Sequence, residues 1–249
     1  MSRGHALITG AIGGLGTEIT KRLIAEGIPV IGTDRRAADI GPWIDAELND
    51  DQKELFTGYG LDVTDEDQIE TLAARLKSDG IHIAYLINNA GIQGSGKPWE
   101  LDSKTWHRVI RVNLDGTFYM TRAFSQAMVE AEFGRIVNFA SLYAFHPGVG
   151  QAPYAAAKAG ITGYTRSVAT DLAKFGVTVN VIAPGIIWHE RLRGVLPDEQ
   201  FDKMKAQIPA GRNGEPSEIS GVVAFFCSDD SSYVTGETLH VNGGLYLSG

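Results

Sequence analysis

A single cysteine, Cys227, in a chain of 249 residues excludes any intramolecular disulfide, and its neighbours Phe225 and Phe226 make a buried thiol the default reading. Basic residues are few. Twenty-two Lys and Arg against 30 Asp and Glu leave a net charge of −8, which argues against a nucleic-acid partner, since phosphate contacts need clustered cations. No apolar run approaches the ~20 residues that cross a bilayer, and Met1-Ser2-Arg3 leads into the first strand-like run with no charged-then-apolar leader. We therefore expect no membrane association and a cytoplasmic location. No metal ligand set is expected. Nor is there a Pro/Gly/Ser-rich linker, an internal repeat or a low-complexity stretch to divide the chain. With 43% apolar residues it can bury a substantial core, so residues 1–249 are expected to form one domain.

What the chain does have is alternation. Strand-like runs fall near residues 5–9, 29–33, 58–62, 83–88, 135–140, 178–183 and 238–241, separated mostly by amphipathic helical patterns. This predicts an α/β fold, a doubly wound, single-domain Rossmann-type parallel sheet of about seven strands with helices on both faces. Ligands in such sheets bind beyond the carboxyl ends of the strands. Gly10, Asp34, Asn88 and Ser141 each follow a predicted strand and should share one crevice. Gly41-Pro42 predicts a short or irregular helix between Arg35 and Phe56. From Ile186 to Gly214 the sequence fits no strand and holds one short helical pattern, Asp198 to Gln207.

Two constellations carry chemistry. The run Ala6-Leu7-Ile8 enters Thr9-Gly10-Ala11-Ile12-Gly13-Gly14-Leu15-Gly16 and then the helical pattern Ile19, Leu23, Ile24. Glycines let a pyrophosphate approach such a turn closely, and the helix N-terminus offers N–H donors to its charge. The second strand ends at Asp34, where an acid should meet an adenosine ribose. Further on, Tyr154 and Lys158 lie one helical turn apart on one face. A nearby ammonium stabilises a phenolate and should lower the tyrosine pKa from about 10 toward a range useful for proton transfer. Tyr-x-x-x-Lys alone is common on solvated helix faces, and the glycine turn gives this pair its weight. Ser141, thirteen residues upstream, reads by itself as a strand-end serine. Asn113 sits in an apolar stripe with Trp106, Ile110, Leu114 and Phe118, where a buried amide must find a partner.

Thr9-Gly10-x-x-x-Gly14-x-Gly16, Asn88-Asn89-Ala90-Gly91, Asn113, Ser141, Tyr154-x-x-x-Lys158 and Pro184-Gly185 stand in the order and spacing of the short-chain dehydrogenase/reductase family, which the chain resembles over nearly its whole length. The ending Tyr233 to Gly244 closely resembles that of 3-oxoacyl-carrier-protein reductases. The resemblance implies that Tyr154 is the acid/base, that Ser141 holds the substrate oxygen, that Lys158 also bonds the nicotinamide ribose, and that Asn113 bends its helix to hold a water in a relay with Lys158. It implies a dinucleotide along Gly10, Ile12, Gly14, Leu15, Gly16, Asp34, Arg35, Asp62, Val63, Asn89, Ala90 and Gly91, with Pro184, Gly185 and Ile187 near the nicotinamide. The segment 186–214 would be a substrate lid, and the chain a homotetramer through helices around 103–131 and 152–175 and the last strand.

Asp34 favours NAD over NADP, because a carboxylate accepts a ribose diol and repels a 2′-phosphate; Arg35 and Arg36 are the complication. Gln93, Tyr143, His146, Gln151, Trp188, His189, Arg191 and Arg193 are the candidate substrate contacts. Their polarity points to a sugar, polyol or hydroxy acid interconverted between alcohol and carbonyl. The alternative is reduction of 3-oxoacyl thioesters, a resemblance that implies NADPH. A third reading, from another class, is a non-catalytic dinucleotide sensor on the same scaffold.

Overall fold

The computed structural model describes residues 3–189 and 205–248. Seven strands form one sheet in the order β3-β2-β1-β4-β5-β6-β7, every neighbouring pair parallel. They are β1 (His5–Thr9), β2 (Val30–Asp34), β3 (Phe56–Gly60), β4 (Ile83–Asn88), β5 (Gly134–Phe139), β6 (Val177–Pro184) and β7 (Thr238–Val241). The order reverses between β1 and β4, and the crevice opens at that switch point. Period-two alternation divides the strand side chains between two cores. Ala6, Ile8, Ile87, Val137 and Ile182 face one side, against α1 (Gly14–Ala25), α2 (Ala37–Glu47) and the C-terminal helix α8 (Pro216–Cys227). Leu7, Leu86, Ile136 and Val179 face the other. There they meet α4 (Glu66–Ser78), α6 (Gly116–Glu130) and α7 (Ala152–Leu172), while the short α3 (Asp50–Glu54) precedes β3.

Two expectations of local structure change. The helix after β2 runs eleven residues straight through Pro42. Pro42 is exposed, and burial of Ile40 and Trp43 on the opposite face offsets the lost hydrogen bond. Trp43 packs on Phe56 with ring centroids 5.2 Å apart, and this contact also draws β3 two residues earlier than its sequence pattern suggested, pairing Val30 with Phe56.

The second change concerns the helix bearing Asn113. Between α5 (Ser103–Ile110) and α6 lies a π turn, Arg111–Asp115. Its buried side is Val109, Asn113, Thr117, Met120 and Phe124, whereas Trp106 and Phe118 of the expected apolar stripe are 37% and 40% exposed. Among the described residues no helix is long and apolar enough to cross a membrane, and no His/Cys/Asp/Glu cluster could hold a metal.

Candidate active site

The carboxyl ends of β1, β2, β4, β5 and β6 border a cleft of about 1220 Å³. At its floor the turn after β1 places Gly10 at φ +65°, a left-handed conformation that glycine adopts without strain. A methyl on Gly16 would come within 2.1 Å of the Gly10 carbonyl oxygen, so the first turn of α1 rests directly on the loop. No side chain caps this helix, and no acid lies in its first turn. Its N–H donors and positive end therefore remain for an anion. Asn89 braces the turn, its amide donating to the carbonyls of Thr9 (3.0 Å) and Gly10 (3.1 Å), and Ala90 N donates to Thr9 Oγ1 at 3.0 Å.

The end of the cleft that holds Tyr154 and Lys158 is fixed by buried polar bonds. Asn88 on β4 donates to Asn138 Oδ1 on β5 (2.8 Å) and to Thr121 Oγ1 (3.2 Å), and Asn138 donates to Thr165 Oγ1 on α7 at 2.8 Å. Two turns earlier on α7 stands Lys158, and three turns earlier Tyr154. Lys158 is buried, with Nζ donating to the Phe139 carbonyl at 2.8 Å and lying 5.6 Å from the Tyr154 ring centroid. Ser141 follows β5, begins a short 3-10 turn (Leu142–Ala144) and hydrogen-bonds Tyr154. The π turn aims the Asn113 amide inward, where Nδ2 donates to Ile92 O and Val109 O, both at 2.9 Å. Asn113 Oδ1 is buried with no partner among the described residues. It faces Gly91 together with Lys158 Nζ: a methyl there would lie 2.7 Å from one and 3.4 Å from the other. An orphaned acceptor beside a buried ammonium suits a bridging water.

The expected electrostatics change sign. Burial pushes Tyr154 up to about 12, outweighing the lowering by its Ser141 bond, and the same desolvation brings Lys158 down to about 7. Tyr154 is thus a protonated phenol across the neutral range, a donor awaiting an acceptor. The lysine also has a stability consequence. Between its ordinary 10.5 and about 7 the unfolded chain binds one proton more than the folded one. Stability therefore rises with pH across that window, and the full cost is present below it. Lys158→Met is expected to raise stability by about 1–3 kcal/mol at pH 6, less the lost Phe139 bond, and by little at pH 10. Thermal midpoints across pH measure this, and an equal change at both pH values would refute it.

Most residues singled out in the sequence meet in this cleft. Gly10, Gly14, Leu15, Asp34, Arg35, Asp62, Val63, Asn89, Ala90, Gly91, Tyr154, Lys158, Pro184, Gly185 and Ile187 line it, as do Gln93, Ser141, Tyr143, His146 and Gln151. Ile12 and Gly16 are buried behind the turn, and Trp188 is not in the lining. His189 also lines the cleft, its ring so close over the glycine turn that a methyl on Gly14 would sit 2.6 Å from Nδ1. Arg191 and Arg193, and the helix expected from Asp198, lie outside the described residues for all but the last few positions. The two ends of the 186–214 segment are bonded to each other, Trp188 N donating to Gly214 O (2.8 Å) and Gly214 N to Ile186 O (2.9 Å). Sequence reasoning missed Arg108, Val149 and Gln207 in the lining, while Arg36, weighed beside Arg35 as a complication, does line it.

The family model described as enoyl-(acyl carrier protein) reductase matches residues 10–246. The 3-oxoacyl-(acyl-carrier-protein) reductase of Haemophilus influenzae is 41% identical over 245 residues, 98% of each chain. That of Escherichia coli K12 is 39% identical over 245 residues, 97% of each. A crystal structure of a candidate gluconate dehydrogenase from Agrobacterium tumefaciens superimposes with a TM-score of 0.93 at 31% identity, covering 99% of this chain and 98% of the other. These findings correct two expectations. Relatives at about 40% identity over nearly the full length bear the 3-oxoacyl reductase name, which favours that reading over a sugar, polyol or hydroxy acid. The expected preference for NAD falls with it, because the same resemblance implied NADPH. Geometry supplies a reason: the Asp34 carboxylate is not free to face a diol alone, since Arg36 bonds it through both backbone N (3.0 Å) and Nε (3.2 Å). The reading as a non-catalytic sensor is also set aside. The chain belongs to the short-chain dehydrogenase/reductase family and is an oxidoreductase acting on CH–OH groups.

Proposed function

We propose that the chain reduces 3-oxoacyl thioesters to 3-hydroxyacyl thioesters with NADPH. The similarity to 3-oxoacyl reductases supports the substrate. The observation that carries the reaction is the partly buried Tyr154 phenol beside Ser141 in the cleft, one helical turn from Lys158, since reduction of a ketone needs a proton donor at the carbonyl oxygen. The uncapped N-terminus of α1, the close-packed glycine turn and the orphaned Asn113 oxygen fit a dinucleotide. When bound, the dinucleotide supplies the hydride that goes to the carbonyl carbon. Ser141 Oγ holds the carbonyl oxygen, and Tyr154 gives that oxygen its proton. Lys158 and a water on Asn113 Oδ1 return a proton to Tyr154. Leu142, Val149 and Leu245 offer apolar lining to the acyl chain, with Gln93, Tyr143, His146 and Gln151 along the polar side.

In an assay following the absorbance of the reduced nicotinamide, acetoacetyl thioesters are expected to turn over with NADPH at least about tenfold faster in kcat/KM than sugars, polyols or free hydroxy acids, a difference of ~1.4 kcal/mol. A sugar outrunning every thioester would sink the proposal. We also propose a homotetramer. The half-exposed Trp106 and Phe118 and the terminal strand β7, which exposes Leu239 at the sheet edge, support it. Light scattering coupled to size exclusion tests it, and a monomer mass would rule it out.

A further inference from the structure

The chain turns back on itself after β7. Gly243 and Gly244, at φ +63° and +87°, make the turn, and the buried Asn242 fastens it: Oδ1 accepts from Gly244 N (2.9 Å), Nδ2 donates to Tyr246 O (2.9 Å), and the Asn242 carbonyl accepts from Leu245 N (3.2 Å). Ala210 N donates to Gly243 O at 3.0 Å, so the tail also backs the segment that brings Gln207 to the cleft. The Tyr246 ring stacks on Phe145, with centroids 5.5 Å apart and planes at 29°, and lies 5.0 Å from His240, which meets Phe145 edge-on at 4.6 Å. Burial lowers the His240 pKa from its ordinary 6.5, so its ring is neutral at neutral pH and packs with the other two as an apolar cluster. Phe145 closes the short turn that Ser141 begins, its N–H donating to Leu142 O at 3.0 Å. The cluster therefore joins the C-terminal tail to the turn that carries Ser141, and Leu245 stands in the cleft lining with Leu142. Of the three residues assigned to the acyl chain, Val149 is 96% exposed and encloses little. The closed part of that apolar wall falls to Leu142 and Leu245.

We propose that the C-terminal tail sets the acyl-chain length that the enzyme accepts: Leu245 is the specificity-determining contact, and Tyr246, stacked on Phe145, is the positioning residue that holds it in the wall. This rests on the reading of the chain as a 3-oxoacyl-thioester reductase.

The test compares kcat/KM of the intact protein for 3-oxoacyl N-acetylcysteamine thioesters of four and of eight carbons, with NADPH. Leu245→Ala makes room in the wall and is expected to raise the eight-to-four ratio by about tenfold or more, the scale on which an apolar pocket discriminates by methylene groups. Leu245→Trp should lower the ratio by a similar factor. Tyr246→Ala releases Leu245 and should move the ratio in the same direction as Leu245→Ala, whereas Tyr246→Phe keeps the stacked ring and should hold the ratio within about twofold. The ratio is the discriminating readout, since a tail that served only stability would lower both rates alike. An unchanged ratio in both Leu245 variants would overturn the proposal, and an unchanged ratio in Tyr246→Ala would overturn the role of Tyr246. Should Tyr246→Ala fail to fold, the Leu245 pair still decides. If the unmutated protein reduced neither thioester, the reductase reading itself would fail and this inference with it.

Discussion

Tyr154→Phe is expected to reduce turnover by ~10²–10⁴-fold, the range typical of a proton-transfer group, while the dissociation constant for the dinucleotide stays within about twofold. The substitution deletes one oxygen and keeps the ring that packs edge-on against Tyr143 at 6.3 Å. What disappears is the donor, held un-ionised by burial up to about pH 12. Because the group acts as an acid, reduction should hold its rate as pH rises through neutrality, whereas the reverse oxidation should climb with pH. Single-turnover rates in both directions, measured beside calorimetric affinities, separate these effects. Turnover above about a tenth of the unmutated rate would remove Tyr154 from the acid/base role.

Gly16→Ala is expected to have the largest effect on stability. The new methyl would stand 2.1 Å from the Gly10 oxygen and 2.7 Å from the Ala11 oxygen. Both obstacles are backbone, so no side-chain rotation relieves them and either α1 or the glycine turn must move. A loss of about 3 kcal/mol or more follows, or about 6–12 °C in thermal midpoint for a domain of this size. Gly163→Ala on α7 is the control, because a methyl there meets nothing within 4 Å and should stabilise the helix by up to about 1 kcal/mol. A thermal midpoint for Gly16→Ala matching the unmutated protein would show that the turn yields more easily than its packing implies.

The strands were legible because β4, β5 and β6 are buried along their whole length, which writes them into the sequence as short apolar runs. Tyr154, Lys158, Ser141 and the glycines were legible because their spacing is itself the geometry. Asp34 misled because a carboxylate is readable in a sequence and its partner is not: whether Arg36 turns back onto it depends on the backbone after β2. The pKa of Tyr154 misled for a related reason. Spacing placed Lys158 near, yet desolvation is the leading cause of the shift at each group, and burial depth at one atom has no sequence signature. The resemblance implied that Asn113 bends its helix, but the apolar stripe with Trp106 and Phe118 was assigned to the core, where neither side chain lies. The π turn and a buried face carrying Asn113, Thr117 and Thr121 show that polar residues can own the inner side when each has a partner.

The amides of Asn88 and Asn138 face each other across neighbouring strands, in direct Cα register. A slip of one residue would set Asn88 opposite Val137 or Phe139 and leave amide groups stranded in an apolar interior, at a few kcal/mol. Apolar strands alone discriminate poorly among sliding alignments, since one branched side chain replaces another at small cost. The amide pair therefore acts as a key for strand alignment while the sheet assembles, and Thr165 carries the same key to α7. The alignment of Ser141, at the end of β5, with Tyr154, on α7, is then settled during folding, before any substrate is present to reward it.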